Sequence, residues 1–143
     1  MKICECSSRG YKPASAFYAK VKCFDKLDSI ENHYQSVKRD KYGNKVKKGQ
    51  RVDHIEIYGR HLSPVYLTPF YKLLWVKYLD NNPNVVEYLS NFDDYNDMFK
   101  GQSVNCQADV IRQYMKQGRQ SFFEDHSVKE FITILNRLKK NID

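Results

Sequence analysis

Residues 29 to 38 read SIENHYQSVK and place a carboxylate, an imidazole, a phenol, a primary amide and an ammonium within three helical turns. Gln35 and Lys38 follow Glu31 at helical spacing, so on a helix they can lie near it. Two readings of Glu31 follow. An acid in the first turn of a helix is stabilised by the helix dipole, and Asp28-x-x-Glu31 has the spacing of a capping box. A carboxylate grouped with an amide and an ammonium can also take a proton or hold a developing positive charge. Lys38 has the same ambiguity: it can bind a phosphate or keep the acid ionised, or it can be an ordinary surface partner.

Other residues can contribute to a site. Ser7, Ser8, Arg9 and Gly10 form a short polar turn. Its amides and guanidinium can cradle a diphosphate, or it can be only a turn. Trp75 can stack on a base or fill a core. Asn105 and Gln107 stand where a helix is expected to begin, a position where amides suit ribose or base recognition. Cys106 has no identifiable histidine partner and reads as a small buried residue. No zinc-type spacing links the four cysteines and four histidines, so neither a metal nor any other cofactor is expected.

Residues 38 to 51, KRDKYGNKVKKGQR, hold seven basic residues against one acid. With the net charge of +7, this run favours anionic partners. It can be a solvated loop. It can track a nucleic-acid backbone with Tyr42 as a stacking platform, or bring a polyanionic substrate to a pocket.

These residues need elements to position them. A chain of 143 residues fits one domain with a real core. Strands and turns are expected over residues 1 to 27, and a helix starting at 28 to 30 with Ile30, Tyr34 and Val37 inward. The basic run reads as a hairpin or loop, followed by a strand through Ile55 and Ile57. Thr68-Pro69 and Asn82-Pro83 each read as a helix cap followed by proline at the first helical position. FDDYNDMFKGQ reads as a loop. A helix is expected over 103 to 117, with Val104, Ala108, Ile111 and Met115 inward and Gly118 as its stop. Ser127-x-x-Glu130 reads as a capping box for a last helix with Val128, Phe131, Ile132, Leu135 and Leu138 on its buried stripe. The expected fold is α+β: a single, mostly helical domain with a small β-sheet. No signal peptide and no transmembrane run are read, so a cytoplasmic protein without membrane contact is expected.

Ser-x-Glu-x-x-Tyr-Gln-x-x-Lys at 29 to 38, preceded by Ser15-Ala16-Phe17-Tyr18, resembles the signature of the NADAR (YbiA-like) family. The stretch KYLDNNPNVVEYL after Trp75, and DDYNDMFKGQSVNCQADVIRQY, resemble its later segments more weakly. Ala16 replaces the family's asparagine, and Phe99-Lys100-Gly101 replaces its tryptophan–glycine step. The composition resembles that of a phage or bacterial protein. The resemblance implies cleavage of the bond between ribose C1′ and a nitrogen, on an ADP-ribosylated group or a related nucleotide. The transition state of such a cleavage carries positive charge on the sugar, and Glu31 is the group that would stabilise it. By the same resemblance the acidic loop faces the pocket, and Asp97, next to the aromatic–glycine step, joins the candidates. Two alternatives stand beside the enzyme. One is a nucleotide-binding protein that sequesters an ADP-ribose-derived signal. The other is a nucleic-acid-binding module that uses the basic run.

Overall fold

The computed structural model describes residues 1–47, 49–100 and 105–140, with Lys140 described for its backbone alone. Its order is β1 (Ile3–Glu5), β2 (Lys20–Cys23), β3 (Lys26–Ser29), α1 (Ile30–Ser36), β4 (Lys38–Arg39), β5 (His54–Ile57), β6 (Arg60–Leu62), α2 (Leu67–Asp80), α3 (Pro83–Leu89), β7 (Asp94–Asn96), α4 (Gln107–Gln117), α5 (Gln120–Phe123) and α6 (His126–Lys140), with 3-10 turns at Lys12–Ala14 and Pro64–Tyr66. The fold is α+β, as expected.

The strands form three small sheets. β2 and β3 are an antiparallel hairpin, β4, β5 and β6 form an antiparallel sheet, and β1 lies parallel to β7. The β2–β3 turn puts Phe24 and Asp25 at φ 53° and 61°, the left-handed geometry that a two-residue hairpin needs to match strand twist. Tyr58 and Gly59 do the same between β5 and β6.

The β1–β7 pair corrects the reading of 92 to 102 as a loop. Ile3, Cys4 and Glu5 pair with Asp94, Tyr95 and Asn96. Tyr95 is buried, and its hydroxyl donates to the Leu89 carbonyl at 2.8 Å. A strand with one buried residue and polar neighbours lacks the alternation that marks strands in a sequence.

The helices carry the core. α2 buries Phe70, Tyr71, Leu74, Trp75, Tyr78 and Leu79. Around it pack Ile30, Tyr34 and Val37 of the α1 region, Ile55 and Ile57 of β5, Ile111 of α4 and Phe131 of α6. α2 begins at Leu67, ahead of the expected Thr68 cap, because a 3-10 turn capped by Ser63 runs directly into it. α4 begins at Gln107 rather than 103, so Asn105 precedes the helix and Cys106 is its N-cap; Val104 lies outside the described residues. Ala108 and Ile111 are buried, Met115 is half-buried, and Gly118 ends α4 at φ 87°. In α6, Val128 and Phe131 are buried, while Ile132, Leu135 and Leu138 are half-buried.

Two expected capping boxes are absent. At α6, Asp125 Oδ1 accepts from the Ser127 and Val128 amides at 2.8 and 3.3 Å, while Glu130 pairs with Tyr66 and His126. The other concerns the site itself. Among the described residues, no helix is long and apolar enough to cross a membrane.

Candidate functional site

The start of α1 is capped without help from Glu31. Ser29 Oγ accepts the Asn32 amide at 3.0 Å. Asp28 Oδ1 accepts from the Ser29 amide and from Asn32 Nδ2, both at 2.8 Å. The Asp28–Glu31 box is therefore replaced by a Ser29 cap and an Asp28–Asn32 clasp. The hydrogen bonds hold Asp28 down to about 2, led by the one from Asn32.

Glu31 is half-buried, and its carboxylate serves another contact. Gln35 Nε2 donates to Glu31 Oε1 at 2.9 Å. Among the described residues Oε2 has no hydrogen bond. One oxygen is thus oriented, and the other is unengaged among the described residues.

Tyr34 and Lys38 stand beside this carboxylate. The Lys38 ammonium sits 4.3 Å from the centre of the Tyr34 ring. Burial pulls the ammonium below its ordinary pKa, and the Glu31 charge works against that shift. Tyr34 is 7 % exposed. Its ring meets Tyr71 of α2 edge-on at 5.1 Å, and its hydroxyl accepts from Asn105 Nδ2 at 2.7 Å. Burial raises the Tyr34 phenol, opposed by the Asn105 bond and reinforced by the Glu31 charge. Tyr34 and Asn105 are 71 residues apart in sequence, so this bond brings two separate candidate segments together.

From Asn105 the cluster continues to Cys106 and Asp97. The Cys106 thiol lies 4.0 Å from Asp97 Oδ2. Burial pushes the thiol up, partly opposed by backbone amides at the start of α4. Cys106 is half-buried rather than fully buried. Asp97 is 8 % exposed, and its Oδ1 accepts the Phe99 amide at 2.9 Å. Among the described residues its side-chain hydrogen bonds run to Cys106 and Phe99, not to Glu31. Asn105 and Cys106 also line a cavity of about 220 Å³ with Lys72, Asp109 and Gln113.

The remaining candidates are placed differently. Trp75 is completely buried in α2, and its ring meets Tyr78 edge-on at 5.5 Å. Among the described residues its indole N–H meets no hydrogen-bond acceptor in good geometry, although it lies close enough to Tyr71 to work against the rise that burial causes in that phenol. No face of Trp75 is open for stacking. Ser7 is also completely buried, Ser8 is half-buried and Arg9 is exposed. In this turn the Arg9 amide donates to Ser7 Oγ at 3.3 Å and the Gly10 amide to the Ser7 carbonyl at 3.0 Å. Two amides of the expected cradle are thus engaged within the turn. Gly10 is fixed there by space: a Cβ would come within 2.2 Å of the Glu5 carbonyl oxygen.

The role of Gln107, read with Asn105 only as an amide at a helix start, was missed by sequence reasoning. Gln107 is 7 % exposed, its Oε1 accepts the Ala16 amide at 2.6 Å, and its Nε2 donates to the Cys6 carbonyl at 2.6 Å. The Ala16 carbonyl then accepts the Glu31 amide at 3.0 Å. One buried side chain therefore joins the turn after β1, the turn before β2 and the start of α4, one peptide from Glu31. Tyr71 was missed as well, because its spacing marks only the core face of α2.

The basic run is not wholly loop. It opens with β4, and a turn built on Asp40 follows, whose Oδ1 accepts the Tyr42 and Asn44 amides at 2.9 Å each. Lys48 lies outside the described residues. Among the described residues no group of histidine, cysteine, aspartate and glutamate side chains is arranged to hold a metal ion.

Residues 14–142 match a family described as the DarT1-associated NADAR antitoxin. That span includes Glu31, Tyr34, Gln35, Lys38, Trp75, Asp97 and Asn105, but not Ser7, Ser8 or Arg9. No match was found among curated proteins. With nearly the whole chain matched, the protein belongs to the NADAR family, in its group of DarT1-associated antitoxins.

Proposed function

We propose that this protein is an N-glycosidase that removes ADP-ribose from a nitrogen atom, and so reverses modification by DarT1, an ADP-ribosylation toxin. The observation that carries this reading is the state of Glu31. Its Oε1 is held by Gln35 and its Oε2 is unengaged among the described residues, while the capping task belongs to Ser29 and Asp28. Cleavage of a ribose C1′–N bond passes through a sugar carrying positive charge. A preoriented carboxylate beside C1′ stabilises that charge. Water then adds to C1′ while the C1′–N pair leaves with the acceptor nitrogen. Glu31 takes the proton from water and returns it to the departing nitrogen. The products are ADP-ribose and the unmodified acceptor. Lys38 supplies a positive charge for the diphosphate.

The basic run begins at Lys38 itself, within this cluster. Arg39 bonds Glu56 at 3.0 Å across the sheet, and Tyr42 is 75 % exposed with Lys41 5.1 Å from its ring centre. We propose that a polyanionic substrate approaches along this run, through those lysines among the described residues that are left unpaired by the Arg39–Glu56 bond. Loss of affinity with rising salt would follow the number of phosphates engaged.

The test is chromatographic. Wild type and Glu31→Gln are incubated with NAD, cyclic ADP-ribose, ADP-ribosylated guanosine and ADP-ribosylated arginine. The wild type is expected to release ADP-ribose from at least one of them, and Glu31→Gln to do so ~100-fold more slowly or worse. Equal cleavage by both proteins removes Glu31 from the chemistry. Ligand carried through and returned intact on heating, with no cleavage, makes the protein a sequestering antitoxin instead.

A further inference from the structure

Phe17 is an aromatic ring held out to solvent, one residue after Ala16, whose carbonyl accepts the Glu31 amide. Its exposure is 65 %, although burying a ring of that size is worth roughly 2 kcal/mol. The backbone on either side is not loose. The Phe17 amide donates to Ser15 Oγ at 3.3 Å, and the Tyr18 and Ala19 amides donate to the Ser15 carbonyl at 3.0 and 2.8 Å. Ser15 is itself completely buried. The same turn is bonded to the start of α1: the Ala16 carbonyl accepts the Glu31 amide at 3.0 Å and the Ala19 carbonyl accepts the Ile30 amide at 2.9 Å. Gln107 holds the Ala16 amide from the other side. Phe17 therefore follows directly the residue that is bonded to Glu31, on a turn fixed from both directions.

The other strongly exposed aromatic rings are partnered. Tyr18 has the Lys12 ammonium at 5.2 Å, Tyr42 has that of Lys41 at 5.1 Å, and Tyr88 stacks on Tyr11 at 4.1 Å. Phe17 has no ring or cation against it among the described residues. A rigid, unpartnered aromatic face one residue from the backbone contact of a glycosidic carboxylate is suited to stacking on a flat group. The flat group nearest C1′ in an ADP-ribose N-glycoside is the nitrogen-bearing acceptor, provided that it is a planar delocalised system.

We infer that Phe17 is the platform on which the planar nitrogen-bearing acceptor stacks, whether that acceptor is a nucleobase or a guanidinium. This rests on the glycosidase reading above and deepens it. It assigns the stacking contact to Phe17 and leaves Trp75 in the core. It also makes selection of the acceptor a separate task from holding the ADP-ribose.

The experiment uses the full chain carrying Glu31→Gln, to prevent turnover, and Phe17→Trp, to report contact. The only other tryptophan is the buried Trp75, so emission from an exposed indole is attributable to position 17. ADP-ribosylated guanosine, ADP-ribosylated arginine and free ADP-ribose are titrated, and binding is followed in parallel by calorimetry. The inference expects all three to bind and the two N-glycosides to change the emission, quenching it for the guanine ligand, with no change for free ADP-ribose. A response to guanosine alone identifies a nucleobase acceptor, and a response to the arginine ligand alone a guanidinium. An equal response to ADP-ribose places the adenine on this ring and overturns the assignment. Calorimetric binding with no emission change for any ligand also overturns it, and leaves the glycosidase reading intact. Absence of binding for all three, together with no cleavage by the wild type, overturns both. With Glu31 restored, Phe17→Ala is expected to raise KM about tenfold, with Phe17→Tyr restoring it and Phe17→Leu failing to do so.

Discussion

Tyr34 joins the two halves of the candidate site through a single hydroxyl. Its oxygen accepts from Asn105, while its ring lies between Lys38 and Tyr71. Tyr34→Phe keeps both ring contacts and deletes the acceptor. We expect a loss of about 1 kcal/mol, seen as a melting temperature lower by about 3–5 °C, and a lower kcat/KM because the residue-105 segment loses its anchor. A variant with unchanged melting and unchanged turnover would show that the bond positions nothing. At this scale the sequence was informative where chemistry followed helical spacing: Glu31 and Gln35 meet on α1, whereas Lys38, read at the same spacing, lies on β4 and reaches the Tyr34 ring from there. The role of Gln107 was not legible. Its importance comes from two backbone partners on segments about a hundred residues away, and hydropathy carries no mark of a polar side chain that will be buried. Trp75 shows the opposite case, since a tryptophan's type is compatible with both core and stacking roles and only burial decides between them.

The cap and the candidate catalytic acid of α1 are different residues, and this separates two effects that a capping box would have merged. Ser29→Ala removes the side chain that accepts the Asn32 amide. It is expected to cost ~1 kcal/mol of stability, measured by denaturant unfolding. Glu31→Gln should leave unfolding within about 0.5 kcal/mol of wild type while abolishing cleavage. If Glu31→Gln destabilised the protein as much as Ser29→Ala, the carboxylate would be structural. The starts of α1, α3 and α6 were approximately legible, because serine, proline and acidic residues signal helix starts. The exact caps were not, because Asp28, Ser29 and Glu31 all fit the start of α1 and only the backbone geometry chooses. β7 was hidden for a different reason. Its strand character comes from pairing with β1, not from its own residues, which are mostly polar.

Across the whole molecule, acidic side chains pin a basic chain together at a few points. Arg112 of α4 bonds Asp94 at 2.7 Å and Asp109 at 2.8 Å, and also reaches the Tyr95 carbonyl. These contacts attach α4 to β7 and, through it, to β1. The Arg112 bond holds the Asp94 carboxyl down to about 2, against an ordinary value of 3.8. Because the folded value lies below the unfolded one, the unfolded chain binds more protons between these values, and stability rises with pH across them. The contribution is present above about pH 4 and is lost as the pH falls towards 2. Asp94→Asn is expected to lower stability at neutral pH and to flatten the acid limb of a circular-dichroism unfolding profile. An acid limb identical to wild type would mean that the pair is not coupled to folding.

The parallel strand pair also has a consequence in time. Strand β1 precedes its partner β7 by 91 positions, and Ala16 precedes the Gln107 amide that grips it by the same number. Contacts of such separation close late and slowly. The residues next to Glu31 therefore wait for most of the chain before they are held in place. A nascent copy carries the glutamate long before it carries a site, and protection against a toxin would begin only once translation has passed α4.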